Sequence, residues 1–175
     1  FEPGVVAAAI TDHVGKPIAC KVEFATKGDE PALNFGPETA EFSVGNLVYT
    51  ANGKFQRTVP PGKYSITISH GPEYDAVERE IDVAPGSTVP LSAMLNRTVE
   101  TPGWVSGDFH SHSTPSGDNT SSQLGRVLNL VAEQIEFAPC TEHNRISTYR
   151  PHIDRLGIAS QLATVSGIEL TSTPL

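Results

Sequence analysis

The chain has 175 residues, with 12 Lys or Arg against 20 Asp or Glu, and its formal net charge at pH 7 is −8. This length accommodates one large domain or two small ones with a buried core. A composition of 38% hydrophobic and 18% charged residues excludes a disordered or fibrous protein. The acidic balance disfavours a nucleic-acid partner, and no apolar run approaches the roughly 20 residues that span a membrane. The sequence gives no indication of the oligomeric state.

The first half of the chain, residues 4 to about 97, has the pattern of an all-β module. Short apolar or alternating stretches are separated by Gly, Pro and Asn, as expected of strands and turns. Asn52-Gly53 predicts a hairpin, because this pair accepts the positive φ of a tight turn, and residues 32–45 are predicted to form a long loop. Several short strands with such turns indicate a β-sandwich, with predicted strands at Val5–Ile10, Lys21–Phe24, Phe55–Val59, Lys63–Ser69, Ala76–Val83 and Thr88–Leu95.

A boundary is predicted at Thr98–Gly103, where Pro102-Gly103 breaks the chain. It divides the protein into two predicted domains, residues 1–98 and residues 99–175. The two cysteines, Cys20 and Cys140, fall in different domains and do not make a disulfide framework. We expect both to be small buried thiols.

The second domain alternates strands and helices. A helix is predicted after Ser121-Ser122, because either serine can cap it and the apolar residues that follow recur at the i, i+3, i+4 spacing of one helix face. A shorter helix is predicted within residues 149–161. Such alternation indicates an α/β segment with βαβ units and a parallel sheet, whose strands are predicted at Trp104–Phe109, Ile135–Thr141 and Leu162–Ile168.

Each of these three predicted strands ends in residues that commonly bind metals. The first is followed by His110-Ser111-His112, whose two imidazoles project to the same side of a strand. The second is followed by Glu142-His143, and the third by Glu169. Because the carboxyl ends of parallel strands meet at one rim, a transition-metal site is predicted where four side chains converge: His110, His112, His143 and Glu169. The alternative is histidines hydrogen-bonded on a strand face, with Glu169 in a buried ion pair.

The same motifs resemble those of the polymerase-and-histidinol-phosphatase (PHP) superfamily of metal-dependent hydrolases. Residues 107–113, Gly-Asp-Phe-His-Ser-His-Ser, are similar to its first motif. Thr141-Glu142-His143-Asn144 is similar to its second, which more often has Asp at the position of Glu142, and residues 167–170 are similar to its third. The resemblance covers about Trp104–Thr171, and it is strongest to the carbaryl-hydrolase-like branch, which contains ester-type hydrolases and predicted phosphoesterases.

The resemblance implies a ligand set for two divalent ions, Zn, Mn or Fe. His110 and His112 would bind one ion, His143 would bind the second, and Glu169 would bridge them. His143 and Glu169 are accordingly the expected catalytic residues. Asp118 is either a further metal ligand or a turn former beside Gly117, because Ser116-Gly117-Asp118 has one residue more than the Ser-Asp of the family.

Two residues beside His143 have open roles. Asn144 could hydrogen-bond a ligand or a substrate. Arg145 either pairs with an anionic substrate oxygen or forms an exposed salt bridge. The expected reaction is hydrolysis of a small-molecule phosphoester or ester by water activated between two metal ions, and no organic cofactor is implied.

The first domain resembles the carboxypeptidase-regulatory-like, or prealbumin-like, β-sandwich family. The resemblance depends on Gly4–Cys20 with its turn, on Asn52-Gly53-Lys54-Phe55, and on Val59-Pro60-Pro61-Gly62-Lys63-Tyr64. Such modules are mostly accessory, and they favour an extracytoplasmic location, either periplasmic or secreted.

The metallohydrolase has two competitors. One is a binding or adhesion protein whose second domain keeps only a vestigial metal site, and the other is a structural zinc site between the domains. The PHP barrel contains more βα units than the three predicted here. We therefore expect the chain to be a fragment or a reduced relative, with weak metal binding and poor catalysis.

Overall fold

The computed structural model describes residues 2–28 and 31–172. Within them the protein is mostly β, with eight strands and two helices. The strands all lie in the first half, and the helices lie in the second. Their bounds are β1 Gly4–Asp12, β2 Cys20–Thr26, β3 Ser43–Val44, β4 Leu47–Thr50, β5 Lys54–Val59, β6 Gly62–Ser69, β7 Val77–Val83, β8 Thr88–Leu95, α1 Gln123–Ala132 and α2 Arg150–Leu156.

The strands form two sheets that share one hydrophobic core. The three-stranded sheet has the order β5-β1-β8, and the five-stranded sheet has the order β3-β4-β2-β6-β7. Alternate residues of each strand point inward, because side chains of a strand alternate between its two faces. Val6 and Leu91 of the first sheet and Phe24 and Ile66 of the second belong to the same buried cluster. The predicted all-β first half is therefore confirmed, and two sheets around one core are consistent with a β-sandwich.

Residues 43–59 differ from the prediction. The loop predicted for residues 32–45 ends in the short strand β3, and β4 follows without having been predicted. The Asn52-Gly53 hairpin was predicted wrongly, because β4 belongs to the five-stranded sheet and β5 to the other. Gly53 does have a positive φ of 70°, and its carbonyl accepts a hydrogen bond from the Ile10 N–H. This turn therefore carries the chain from one sheet to the other.

Both predicted helices are present. Helix α1 begins after Ser122, whose hydroxyl oxygen accepts a 3.0 Å hydrogen bond from the Gly125 N–H, as an N-cap does. Helix α2 ends at Gly157, which has the left-handed φ of 68° typical of a helix C-terminus. No helix within the described residues is long and apolar enough to cross a membrane.

The three strands predicted in the second half are not formed as strands. Their segments are extended and meet at isolated parallel bridges, among them Gly107 with Phe137 and Phe137 with Ala163. Two features leave the second segment without continuous ladders. Ala138 and Cys140 donate to the third segment, so Pro139 between them faces the first segment, where its carbonyl accepts from Ser111 and it has no N–H to donate. On the other side, the Ala138 carbonyl accepts from the Thr164 hydroxyl at 2.8 Å. An α/β segment with a parallel sheet is therefore not shown, although parallel pairing occurs in the predicted order.

Helix α1 packs against the five-stranded sheet and joins the two halves of the chain. Ala19, next to β2, lies in the same buried cluster as Val127 and Val131 of α1. Lys21 forms a salt bridge with Glu133 across this contact. Gly71 approaches the Glu133 carbonyl so closely that a Cβ would overlap it. The two halves are therefore in intimate contact near the carboxyl end of α1.

The contact predicts that Gly71→Ala destabilises the protein more than Gly103→Ala does. Both glycines have a positive φ, 70° and 83°, so both substitutions incur the left-handed cost of about 1–2 kcal/mol. At Gly71 the added methyl also overlaps the Glu133 carbonyl, whereas nothing lies within 4 Å at Gly103. Overpacking adds about 1–3 kcal/mol. Urea unfolding of the two variants measures the difference, and equal losses would contradict the described contact.

Candidate metal centre

The chain brings the three predicted motifs together through backbone hydrogen bonds. The second and third extended segments pair at Phe137–Ala163, Cys140–Ser166 and His143–Glu169, and 163 − 137, 166 − 140 and 169 − 143 all equal 26. This constant register places His143 directly beside Glu169. The Thr141 N–H donates to the Ser111 carbonyl at 3.2 Å, so the first motif is attached to the second.

Three side chains meet within hydrogen-bonding distance at the first point of convergence. The Nε2 atoms of His110 and His112 lie 2.8 Å apart. Each of them lies 2.8 Å from Oε2 of Glu169. The His110 side chain is 63% exposed, whereas His112 is only 13% exposed. The cluster is therefore open to solvent on the His110 side and closed on the His112 side.

Asp118 forms a second point of convergence on the other side of the same rings. Its Oδ1 lies 3.1 Å from Nδ1 of His112, and its Oδ2 lies 3.0 Å from Nε2 of His143. Nδ1 of His143 faces Oε2 of Glu169 at 3.4 Å. The structure thus brings together all of the residues that the sequence suggested as ligands, including Asp118.

The arrangement of the first cluster fits a bound cation better than a set of hydrogen bonds. Three mutual contacts join His110 Nε2, His112 Nε2 and Glu169 Oε2, but an ionised carboxylate has no proton to donate. At most two ring N–H groups could serve these contacts, and if both were present they would oppose each other. One contact would always set lone pair against lone pair, or proton against proton. A cation removes this conflict, because all three atoms can then direct lone pairs at it.

Distances and burial agree with that interpretation. Metal–ligand bonds of about 2.0–2.1 Å place neighbouring ligand atoms roughly 2.8–3.4 Å apart for octahedral to tetrahedral angles, and the observed separations are 2.8 and 3.4 Å. Nδ1 of His143 is buried and has no hydrogen-bond partner among the described residues. Imidazole nitrogen and carboxylate oxygen are also the ligands that zinc, manganese and iron accept.

Both carboxylates are held in the ionised form. The hydrogen bond from His112 is the main cause that lowers the pKa of Asp118, with His143 contributing in the same direction. The hydrogen bond with His110 lowers the pKa of Glu169. Anionic oxygens are therefore available at both points of convergence at neutral pH.

Glu142 is a fully buried carboxylate directly before His143. It accepts hydrogen bonds from the Ser113 N–H at 3.1 Å and from the Ser113 and Ser116 hydroxyls. Burial by itself would raise the pKa of Glu142, but these hydrogen bonds outweigh it and the net pKa is lowered. The Ser116 hydroxyl also accepts from the His143 N–H at 3.0 Å. Glu142 therefore fixes the loop that carries Asp118 against the segment that carries His143.

No role was predicted from the sequence for Glu142, Ser116 or Arg126. Arg126 donates from Nε to the His112 carbonyl at 2.9 Å and so fixes the backbone of that residue. A carboxylate two residues after the apolar stretch 137–140 was a usable signal for a buried anion. Nothing in the sequence marks Ser116 or Arg126, because their roles depend on how the loop closes.

A cavity of about 340 Å³ opens beside His143. Its lining includes Asn144 and Arg145. Asn144 has a positive φ of 49°, and its Oδ1 accepts from the Thr171 N–H at 2.9 Å. Asn144 therefore connects the second motif to the third. Arg145 is the cationic residue of the cavity lining.

A search of protein-family profiles finds no match for the chain, and a search of curated proteins finds no significant one. The resemblance to the PHP superfamily thus depends on the three motifs and stays a prediction.

Glu142→Gln is predicted to destabilise the protein by about 2–3 kcal/mol, because the amide cannot accept from all the donors that face the carboxylate. The effect has a definite pH dependence. The pKa of Glu142 is lowered in the folded state. The ionised carboxylate therefore contributes fully to the free energy of unfolding above the unfolded-state pKa of about 4.3, and this contribution is lost as the pH falls from there through the lower folded-state pKa. When thermal unfolding is measured between pH 7 and pH 3, the Tm of the variant should fall less with decreasing pH than the Tm of the wild type. Glu78→Gln, on the exposed side of β7, is the control and should follow the wild type.

Proposed function

We propose that the protein is a metal-dependent hydrolase whose centre is formed by His110, His112, His143 and Glu169. The observation that carries the proposal is the convergence of their nitrogen and oxygen atoms: His110 Nε2, His112 Nε2 and Glu169 Oε2 lie 2.8 Å from one another, and His143 Nδ1 lies 3.4 Å from Glu169. Residues 59 positions apart in sequence, His110 and Glu169, contact each other directly. Side chains that merely cover a surface have no reason to oppose their lone pairs in this way.

Divalent cations held there would supply Lewis-acid chemistry, acidifying water and polarising a phosphoryl or carbonyl oxygen. The chain's own residues provide the rest. His110, the most exposed member, faces solvent and leaves an open side for substrate, whereas structural zinc sites are closed. Burial raises the pKa of the Cys140 thiol to about 11, so this cysteine is a poor nucleophile at neutral pH. These features favour attack by water.

We further propose that residues 104–171 correspond to the first βα units of a PHP-type barrel, preceded by a carboxypeptidase-regulatory-like sandwich. The support is the order of parallel contacts, with the segment at Gly107 beside Phe137 and Phe137 beside Ala163. Helix α1 lies between the first and second segments in sequence. The metal ligands follow the carboxyl ends of all three segments, as in parallel α/β proteins generally.

Arg145 favours an anionic phosphoester over a neutral ester as substrate. It lines the cavity beside His143. Among the described residues Arg150 pairs with Asp154, and Arg126 donates to a backbone carbonyl. Arg145 forms no salt bridge with an acidic side chain of the described residues. The salt bridge considered for it in the sequence is thus absent within the described part of the chain. A guanidinium facing a cavity is suited to bind phosphate oxygens.

The first test is substitution of His110 and His112 by Ala, singly and together. With Zn²⁺ or Mn²⁺ supplied, hydrolysis of a bis-aryl phosphate should fall at least about 100-fold, since loss of a ligand exceeds the 10–100-fold effect of losing its supporting partner. Because His110 is exposed, its substitution by Ala should lower the free energy of unfolding by less than about 0.5 kcal/mol. Steady-state kinetics and urea unfolding provide the two readouts.

His13→Ala, an exposed histidine of the first half, is the control and should change neither quantity. If the His110 and His112 variants unfold on metal loss, the metal is structural. If wild-type protein neither retains metal nor hydrolyses any ester, the binding or adhesion alternative is favoured and the hydrolase proposal is wrong.

The second test concerns substrate charge. Arg145→Ala should raise KM for the phosphodiester about tenfold with little change in kcat, as expected for loss of one solvent-exposed charge-assisted hydrogen bond. KM for a neutral aryl carbamate or ester should not change. Arg150→Ala removes an exposed arginine that pairs with Asp154 instead, and it should leave both substrates unaffected. Equal effects of Arg145→Ala on the charged and neutral substrates would contradict the assignment.

A further inference from the structure

His112 and His143 each lie between two carboxylates. His112 presents Nε2 to Glu169 at 2.8 Å and Nδ1 to Asp118 at 3.1 Å. His143 presents Nδ1 to Glu169 at 3.4 Å and Nε2 to Asp118 at 3.0 Å. The same two rings therefore belong to both points of convergence, through opposite nitrogens.

This sharing restricts where a cation can bind. A neutral imidazole has one N–H and one lone pair. If His112 and His143 direct their lone pairs towards Glu169, their N–H groups point at Asp118. Asp118 then accepts one hydrogen bond on Oδ1 and the other on Oδ2, at ordinary lengths of 3.1 and 3.0 Å. Both N–H groups have an acceptor in this arrangement, and the lone pair of His112 is left for a cation beside Glu169.

The opposite arrangement fails on three counts. With the lone pairs directed at Asp118, the N–H groups of His112 and His143 would both point at Oε2 of Glu169, which His110 also contacts. The contact between His143 and Glu169 does not have hydrogen-bond geometry, because His143 Nδ1 lacks a hydrogen-bond partner. The Nε2–H of His112 would also face His110 Nε2 at 2.8 Å while being directed at Glu169.

We propose that Asp118 is a positioning residue and not a metal ligand: its two oxygens hold His112 in the Nδ1–H form and His143 in the Nε2–H form. This inference rests on the proposed metal centre. It revises the ligand set implied by the family resemblance. Within the described residues, His110 Nε2, His112 Nε2 and Glu169 Oε2 lie close enough together to hold one cation, and His143 Nδ1 borders them at 3.4 Å from Glu169. A second cation at Asp118 would require both shared rings to lose their remaining protons.

Burial separates the two roles in the same way. The rings of His112 and His143 are only 13% and 14% exposed, whereas Asp118 is 48% exposed. The carboxylate thus lies on the outer side of two largely buried rings, where it can accept their N–H groups. Outer carboxylates of this kind orient ligand histidines, and their loss usually weakens metal affinity 10–100-fold.

The direct test is the long-range ¹H–¹⁵N spectrum of the histidine rings in the full chain at pH 7.5. Without metal, His112 should be protonated at Nδ1 and His143 at Nε2. With Zn²⁺, the coordinated nitrogen of His112 should be Nε2, and His143 should keep its proton at Nε2. Protonation of His112 at Nε2, a mixture of tautomers, or coordination through the nitrogens that face Asp118 would overturn the proposal.

Asp118→Asn provides a second, independent readout. The amide oxygen can accept from one ring, but its NH₂ group faces the other ring and forces that ring into the wrong tautomer. Zinc affinity measured by competition with a chelator should fall roughly 10–100-fold, while elemental analysis should still give one zinc per chain. Asp154→Asn, an exposed carboxylate of α2, should bind zinc like the wild type.

The outcomes separate this inference from the proposed function. Two zinc ions in the wild type and one in Asp118→Asn would show that Asp118 is a ligand, and so would overturn the inference while leaving the hydrolase intact. A wild-type chain that takes up no zinc would refute the metal centre. The metal-free spectrum would then still decide whether Asp118 holds the two tautomers, and an unchanged spectrum in Asp118→Asn would decide against it.

Discussion

A neutral imidazole can offer its lone pair from only one ring nitrogen, and the candidate site depends on this constraint. Two largely buried rings, His112 and His143, lie between Asp118 on one side and Glu169 on the other. The side that receives the N–H groups cannot also receive the lone pairs. Each oxygen of Asp118 contacts a single ring nitrogen, so the carboxylate can accept two N–H groups. One oxygen of Glu169, in contrast, is contacted by three rings. The geometry therefore separates an acceptor side from a cation side.

The buried carboxylate of Glu142 stabilises this arrangement. Glu142 accepts hydrogen bonds from the Ser113 N–H and from the Ser113 and Ser116 hydroxyls. The Ser116 hydroxyl in turn accepts from the backbone N–H of His143. A buried charge is costly unless donors surround it, and here the donors come from the loop that follows His112. The stability of the buried anion and the placement of Asp118 are thus two consequences of one network.

Much of the architecture was predictable from local sequence. Alternation in Lys63–Ser69 and the capped apolar face after Ser122 gave the right element types, because those signals need only neighbours in the chain. The predicted strands of the second half failed for a reason that lies outside any local pattern. Ladder hydrogen bonds need a continuous partner, and that continuity is broken by Pro139 on the side of the first segment and by the Thr164 hydroxyl on the side of the third. The Asn52-Gly53 turn was located correctly, but the sheet to which the next strand belongs is a tertiary property.

The candidate site shows the same division. The identities of His110, His112, His143 and Glu169 follow from their positions after the extended segments, and the constant register of 26 residues then aligns His143 with Glu169. Which ring nitrogen faces which carboxylate could not be predicted, because it depends on side-chain rotation within a folded loop. The involvement of Glu142 and Arg126 depends on the same loop closure.

X-ray absorption at the zinc edge of the zinc-loaded full chain tests the central claim most directly, since it counts the ligands around the ion. Lone pairs converging from imidazoles and one carboxylate predict a first shell of nitrogen and oxygen only, at about 2.0–2.1 Å, with the outer scattering of imidazole rings. A sulfur shell at about 2.3 Å, or protein that retains no zinc near stoichiometry, would contradict it.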